Sequence, residues 1–231
     1  YPAVHHPEVR EYFRRTVDFW FERGVDGVRL DAVKHLFIQG PGQGEHQPEI
    51  LPFLEELRAH ISQEFGRDRI LIGEVLPTQP WNMDYLGTPE HPRLDFLFDA
   101  RLSESVFHFQ DALDLESYPA GYLASWYPDV GNRGFIVHNS NHDRGRLLRR
   151  LRQTGAAADK MIGSLTLLSE GAVMLYYGEE IGLRGSEGVE SELASIGAMA
   201  WDGGPAVGFT SASESRVPLP SGGGELHVQA Q

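Results

Sequence analysis

At 231 residues the chain is long enough to bury a substantial core, and its 41% hydrophobic and 23% charged residues argue against a disordered or fibrous chain. A formal net charge of -13 argues against nucleic acid or an anionic membrane as partner, and no long apolar run marks a membrane span. The lack of cysteine excludes disulfides and thiolate metal sites and leaves the compartment, and so the localisation, open.

The chain opens on Tyr1 without Met or a signal-peptide pattern, as a mature secreted protein or a truncated sequence would. Apolar residues at Val9, Phe13, Val17 and Trp20 recur at helical spacing over 7–23, and Gly24 suits the helix end. Gly27-Val28-Arg29-Leu30-Asp31 reads as a short strand, and a Gly- and Pro-rich loop follows over 39–48. Leu51, Leu54, Leu57, Ile61 and Phe65 share a second helical face, closed by Gly66. Strands are predicted at 69–75, 94–98, 135–137 and 172–177, with a helix over 160–169. From 184 onward the periodicity fades into a Gly-, Ser- and Pro-rich loop. Strands alternating with helices, and no antiparallel hairpin pattern, predict an α/β fold with a parallel sheet.

Three acids fall at strand ends. Asp31 closes the first predicted strand, Glu74 follows the second, and Asp143 lies shortly after the fourth. In a parallel barrel the C-terminal strand ends face one side, where the active site sits. Three carboxylates far apart in sequence would then converge. Taken singly, each is better read as a helix N-cap or a solvated turn residue. Arg29, two residues before Asp31, shares its face of the strand, and a buried cation there would favour the charged carboxylate. Glu74 follows an apolar strand, surroundings that suit an acid ready to donate a proton. His142, beside Asp143, is a hydrogen-bond donor.

Gly27-Val28-Arg29-Leu30-Asp31-Ala32-Val33-Lys34-His35 resembles the segment that bears the nucleophile in the α-amylase family of glycoside hydrolases. Gly73-Glu74-Val75 resembles the acid/base segment, and Asn141-His142-Asp143 the one that bears the transition-state stabiliser. Tyr176-Tyr177-Gly178-Glu179-Glu180-Ile181-Gly182, Met199-Ala200-Trp201-Asp202 and Gly208-Phe209-Thr210 resemble the stretches after the last strand, in the family's order. The resemblance implies a partial TIM (β/α)8 barrel, the predicted strands matching about the fourth to eighth βα units. Residues 1–231 would then be one catalytic barrel domain truncated at both ends.

The resemblance implies retaining hydrolysis of α-1,4-glucosidic bonds in starch-like α-glucans, through two carboxylates that flank the bond. Asp31 would be the nucleophile, Glu74 the acid/base and Asp143 the stabiliser. Arg29, Lys34, His35 and His142 would bind substrate, and the Lys34-His35 pair tilts the reading toward an endo-acting amylase. Trp81, Tyr85 and Trp126 are candidates for stacking on sugar rings, although core or loop packing is the commoner role. No cofactor is implied for this chain, and calcium enters only for a full-length enzyme.

Departures from the family pattern are specific. The segment after the third strand, with an Asp and an Asn-His pair, is absent, as are the last barrel helix and the β-sandwich domain after it. Ala200 stands where the family usually has Arg, and Val137-His138-Asn139-Ser140 adds residues before Asn141. With two strand edges unpaired, residues 1–231 alone are expected to be unstable, aggregated or inactive. Within the family an α-glucosidase or transglycosidase is the alternative. From other classes, a non-catalytic barrel module would lack the acids. A metal hydrolase built on Asp31, His35, His142 and Asp143 matches no metal spacing.

Overall fold

The computed structural model describes residues 4–37, 44–75, 80–99, 134–143, 145–146, 156–169, 171–186, 195–212 and 214–231. Among them, helix α1 spans Pro7–Phe21, β1 Gly27–Leu30, α2 Ile50–Phe65, β2 Ile70–Gly73, β3 Phe96–Asp99, β4 Phe135–Val137, α3 Ala156–Leu167 and β5 Ala172–Val173. The strands are hydrogen-bonded in chain order, β1 to β5. β1 and β2 run parallel with Arg29 opposite Ile72 and Leu30 opposite Gly73, and β2 and β3 run parallel with Gly73 opposite Leu97. The alternation read from the sequence is therefore present. The strand expected over 172–177 is shorter, because the Tyr176 N–H turns to the Glu179 carboxylate. The chain divides into two compact units, residues 1–99 with 126–136 and residues 100–125 with 137–231.

In the first unit, Pro7 starts α1 where its missing N–H is no loss. Val17 and Phe21 are buried, with Val9 and Phe13 packed against the same core. Trp20, expected on that face, is 49% exposed. Trp20 shares that side of the helix, where it lines a cleft with Phe13 and Val17. Helix α2 buries Ile50, Phe53, Leu54, Leu57 and Ile61 in a core that includes Leu71 of β2 and Leu97 of β3.

Arg58 is buried among these apolar residues for a chemical reason. Its Nη1 donates to Asp95 Oδ2 at 2.8 Å and to the Arg69 carbonyl at 2.7 Å, while the Leu71 N–H donates to Asp95 Oδ2 at 2.7 Å. Arg69 and Asp95 precede β2 and β3, so this clasp sits at the N-terminal strand ends, the side of such sheets that serves stability. At the other end of β2, a Cβ on Gly73 would lie 2.3 Å from Leu94 Cδ1. The bare glycine lets Leu94 pack onto the strand directly before Glu74.

In the second unit, the Met174 N–H donates to the Val137 carbonyl at 2.9 Å, next to the short strand β5. His138, Asn139 and Ser140 are buried, and Asn139 Nδ2 donates to Thr166 Oγ1 of α3 at 2.5 Å. Ile181, Leu183, Ala198, Ala200 and Val207 form a separate hydrophobic cluster. The stretch read as loop from 184 thus contributes packed core, with short 3₁₀ turns at Pro205–Gly208 and Val228–Ala230. Ala200 is fully buried in that cluster. No described helix is long and apolar enough to cross a membrane.

Candidate active site

Asp31 and Glu74 each stand one residue beyond the C-terminal end of a paired strand. The Glu74 N–H donates to the Leu30 carbonyl at 3.0 Å, and the Val33 N–H donates to the Glu74 carbonyl at 3.1 Å. Backbone pairing thus runs past the strands and sets the two acids side by side. The Arg29 guanidinium joins them. Nη1 donates to Asp31 Oδ1 at 2.8 Å, and Nη2 lies 2.8 Å from Glu74 Oε2. Glu74 Oε2 also accepts the Ala32 N–H at 3.0 Å. Ala32 presents that N–H from a left-handed conformation, φ 45° and ψ 45°, at the entry to the 3₁₀ turn Val33–His35.

Two expectations are corrected here. The Arg29 side chain is 34% exposed rather than buried, because β1 stands at the end of the strand order with no strand beyond it among the described residues. Glu74 is 16% exposed, but a guanidinium and an N–H meet its Oε2 in place of purely apolar surroundings. Such charge-assisted hydrogen bonds fix a carboxylate's orientation. The Asp31 side chain remains 75% exposed. It lines a cleft of about 390 Å³ together with Arg29, Trp20 and Phe13.

Lys34 and His35 converge on Glu45, which lies within the loop predicted over 39–48. Lys34 Nζ lies 2.8 Å from Glu45 Oε2 and His35 Nε2 lies 3.3 Å from Glu45 Oε1. The bond from Lys34 holds the Glu45 carboxyl below the usual carboxylate value against the effect of burial. His46 Nδ1 bonds the Tyr85 hydroxyl at 2.8 Å, and burial holds the His46 ring below the usual histidine value. Tyr85 is itself buried, with its hydroxyl raised by that burial, so it is a core residue and not a sugar platform. The side chain of Trp81 and the whole of Trp126 lie outside the described residues.

The second unit carries Asp143. Its N–H donates to Asn141 Oδ1 at 3.0 Å, closing a turn that the Asn141–Gly145 bridge completes. His142 Nε2 lies 3.4 Å from Asp143 Oδ2, and both side chains are more than half exposed. One residue earlier, the Ser140 hydroxyl donates to Glu179 Oε1, and Glu179 Oε2 accepts the Tyr176 N–H at 2.9 Å. Burial raises the Glu179 carboxyl above its ordinary value. Arg146, also buried, donates from Nη1 to the Tyr177 carbonyl at 2.6 Å and lies 4.8 Å and 4.5 Å from the ring centres of Tyr176 and Tyr177. Burial pushes the Tyr176 hydroxyl up to about 12.

Sequence reasoning gave Glu45, Ser140, Arg146 and Glu179 no role. Only Glu179 carried a signal, as an acid shortly after an apolar strand. Among the described residues no group of three or more His, Asp or Glu side chains is arranged to hold a metal ion. His35 and His142, weighed as ligands, contact Glu45 and Asp143.

Helices alternating with a sheet paired in parallel define the fold class as part of a (β/α)8 barrel. The structure of an α-glucosyl transfer enzyme, XgtA, matches it with a TM-score of 0.78 and 24% identity, over 98% of this chain and 49% of that one. The family model for the α-amylase catalytic domain matches residues 3–231, and the chain belongs to the α-amylase family of glycoside hydrolases. It is 31% identical over 212 residues to Alpha-amylase SusG of Bacteroides thetaiotaomicron, covering 86% of this chain and 28% of that protein. It is 29% identical over 186 residues to Alpha-amylase 3 of Dictyoglomus thermophilum, covering 78% of this chain and 34% of that protein. The chain spans about a third of the length of these two relatives.

Proposed function

We propose that the protein carrying this chain hydrolyses α-1,4-glucosidic bonds of starch-like α-glucans by retaining double displacement, and that residues 1–231 are part of its catalytic barrel. The observation that carries the reading is the single guanidinium of Arg29 joining Asp31 and Glu74. An Asp31 oxygen attacks the anomeric carbon while Glu74 gives its proton to the departing glycosidic oxygen, and that carbon–oxygen bond breaks. Glu74 then takes a proton from water, whose oxygen attacks the same carbon and releases Asp31. Arg29 orients both acids throughout. Asp143, with His142 beside it, stabilises the sugar in the transition state. The amylase names of the two relatives support the substrate class.

The test is turnover of starch and maltooligosaccharides by the protein as its gene encodes it. The first product is expected in the α configuration by proton NMR. Asp31→Asn should lower kcat by about 10⁴-fold or more, given what nucleophile and acid/base together supply. Normal turnover in that variant, or a β-configured first product, would sink the proposal.

A second reading is favoured by Glu45. In this reading Lys34 and His35, held by that carboxylate, do not serve a leaving-group sugar. The protein would then act as an α-glucosidase or transglycosidase on the same chemistry. Glucose as the sole early product, or oligosaccharides longer than the substrate, would select this reading over endo hydrolysis.

A further inference from the structure

Glu179 is a partly buried acid that the mechanism above leaves unused, and both of its carboxylate oxygens are engaged. Oε1 accepts the Ser140 hydroxyl, and Oε2 accepts the Tyr176 N–H at 2.9 Å. It opens the 3₁₀ turn Glu179–Ile181, whose flanking glycines, Gly178 and Gly182, take left-handed conformations with φ 84° and 74°. Such left-handed positions call for glycine, and a Cβ on Gly178 would lie 2.6 Å from Leu183 Cδ2, so the turn is packed closely against Leu183.

Ser140 directly precedes Asn141, whose Oδ1 accepts the Asp143 N–H at 3.0 Å. The connection therefore runs from Glu179 through Ser140 to Asn141 and the Asp143 backbone. Asn139, on the other side of Ser140, is held separately by Thr166 of α3. The Asp143 side chain is 56% exposed and finds only His142, at 3.4 Å, as an ion-pair partner among the described residues. The position of Asp143 thus depends on the turn and not on packing of its own side chain.

We propose that Glu179 is a positioning residue, which fixes the Asn141–Asp143 turn by holding Ser140 and the Tyr176 backbone together. The inference rests on the reading of Asp143 as transition-state stabiliser. A carboxylate is not required as such. A glutamine can accept from Tyr176 through its carbonyl and donate to the Ser140 oxygen through its amide, whereas alanine can do neither.

The test measures kcat and KM for maltooligosaccharide hydrolysis by the whole protein. Glu179→Ala should lower kcat about tenfold or more with KM within about twofold, as a misplaced transition-state group would. Glu179→Gln should restore kcat to within about threefold of the parent, and Ser140→Ala should lower it by about threefold. A purely structural role would reduce the folded fraction without this split and without rescue by glutamine. Unchanged kcat in Glu179→Ala, or glutamine as damaging as alanine, overturns the proposal. If Glu179→Ala does not fold, Ser140→Ala decides, and unchanged kcat there overturns it. Asp143→Asn separates the two readings. Loss of turnover there with none in Glu179→Ala defeats only the positioning role, whereas full turnover in Asp143→Asn defeats the reading of Asp143 on which it rests.

Discussion

In the first unit Asp31 and Glu74 sit on one guanidinium, and their backbones are set by pairing that continues the β1–β2 register. In the second, the turn bearing Asp143 is closed by Asn141, and the preceding Ser140 is held through its hydroxyl by Glu179. The buried cation there, Arg146, donates to a carbonyl and lies against two tyrosine rings, and its charge also acts on the Glu179 carboxylate. A ladder transmits position through many backbone bonds, so deleting one side chain changes charge more than geometry. A turn held by one or two side chains moves when either is removed.

The sharpest way to break this contrast is Arg29→Leu. It removes charged contacts to both acids while leaving the ladder intact. Turnover of α-glucan should fall by about 10²-fold, the order expected for losing two charge-assisted hydrogen bonds. Near-normal kcat would mean that the ladder alone organises the acids.

Gly73→Ala attacks the ladder instead. Its Cβ would meet Leu94 at 2.3 Å, and Leu94 is buried. Overpacking there should lower unfolding stability by about 1–3 kcal/mol, and a smaller side chain at Leu94 should recover most of it. An unchanged denaturant midpoint would show that the strand end has slack.

A smaller effect separates the units by pH. The raised pKa of Glu179 means that its contribution to stability is full below the ordinary carboxylate value and is lost as pH rises through the raised one. The Tm of Glu179→Gln minus that of the parent should therefore become more positive from about pH 4 to about pH 7. A flat difference would contradict this sign.

Glu45 has the opposite sign. Its pKa is lowered, chiefly by Lys34, so its contribution is present above the ordinary carboxylate value and is lost as pH falls through the lowered one. Because the side chain is 42% exposed, Glu45→Gln should change neutral-pH stability by no more than about 0.5 kcal/mol. A larger loss would mean that this loop carries more of the fold than its exposure suggests.

Much of the first unit was legible in the sequence because short-range spacing determines it. Arg29 and Asp31 share a face two residues apart, and the stripes of α1 and α2 follow helical periodicity. What could not be read depends on pairing between distant segments. That Arg29 also reaches Glu74 follows from Leu30 lying opposite Gly73. The role of Ser140 depends on a partner 39 residues away. Tyr85 carries no sequence mark that separates a sugar platform from a core residue bonded to His46. The cluster around Ile181, Leu183, Ala198, Ala200 and Val207 draws on scattered positions with no common period.

Ala32 holds a left-handed backbone that a residue with a Cβ adopts at a cost of about 1–2 kcal/mol, and its N–H is spent on Glu74. Glycine would relieve that strain and let the N–H wander. Ala32→Gly would therefore steady the fold while loosening the hold on the Glu74 carboxylate, so strain and order are traded at one backbone position.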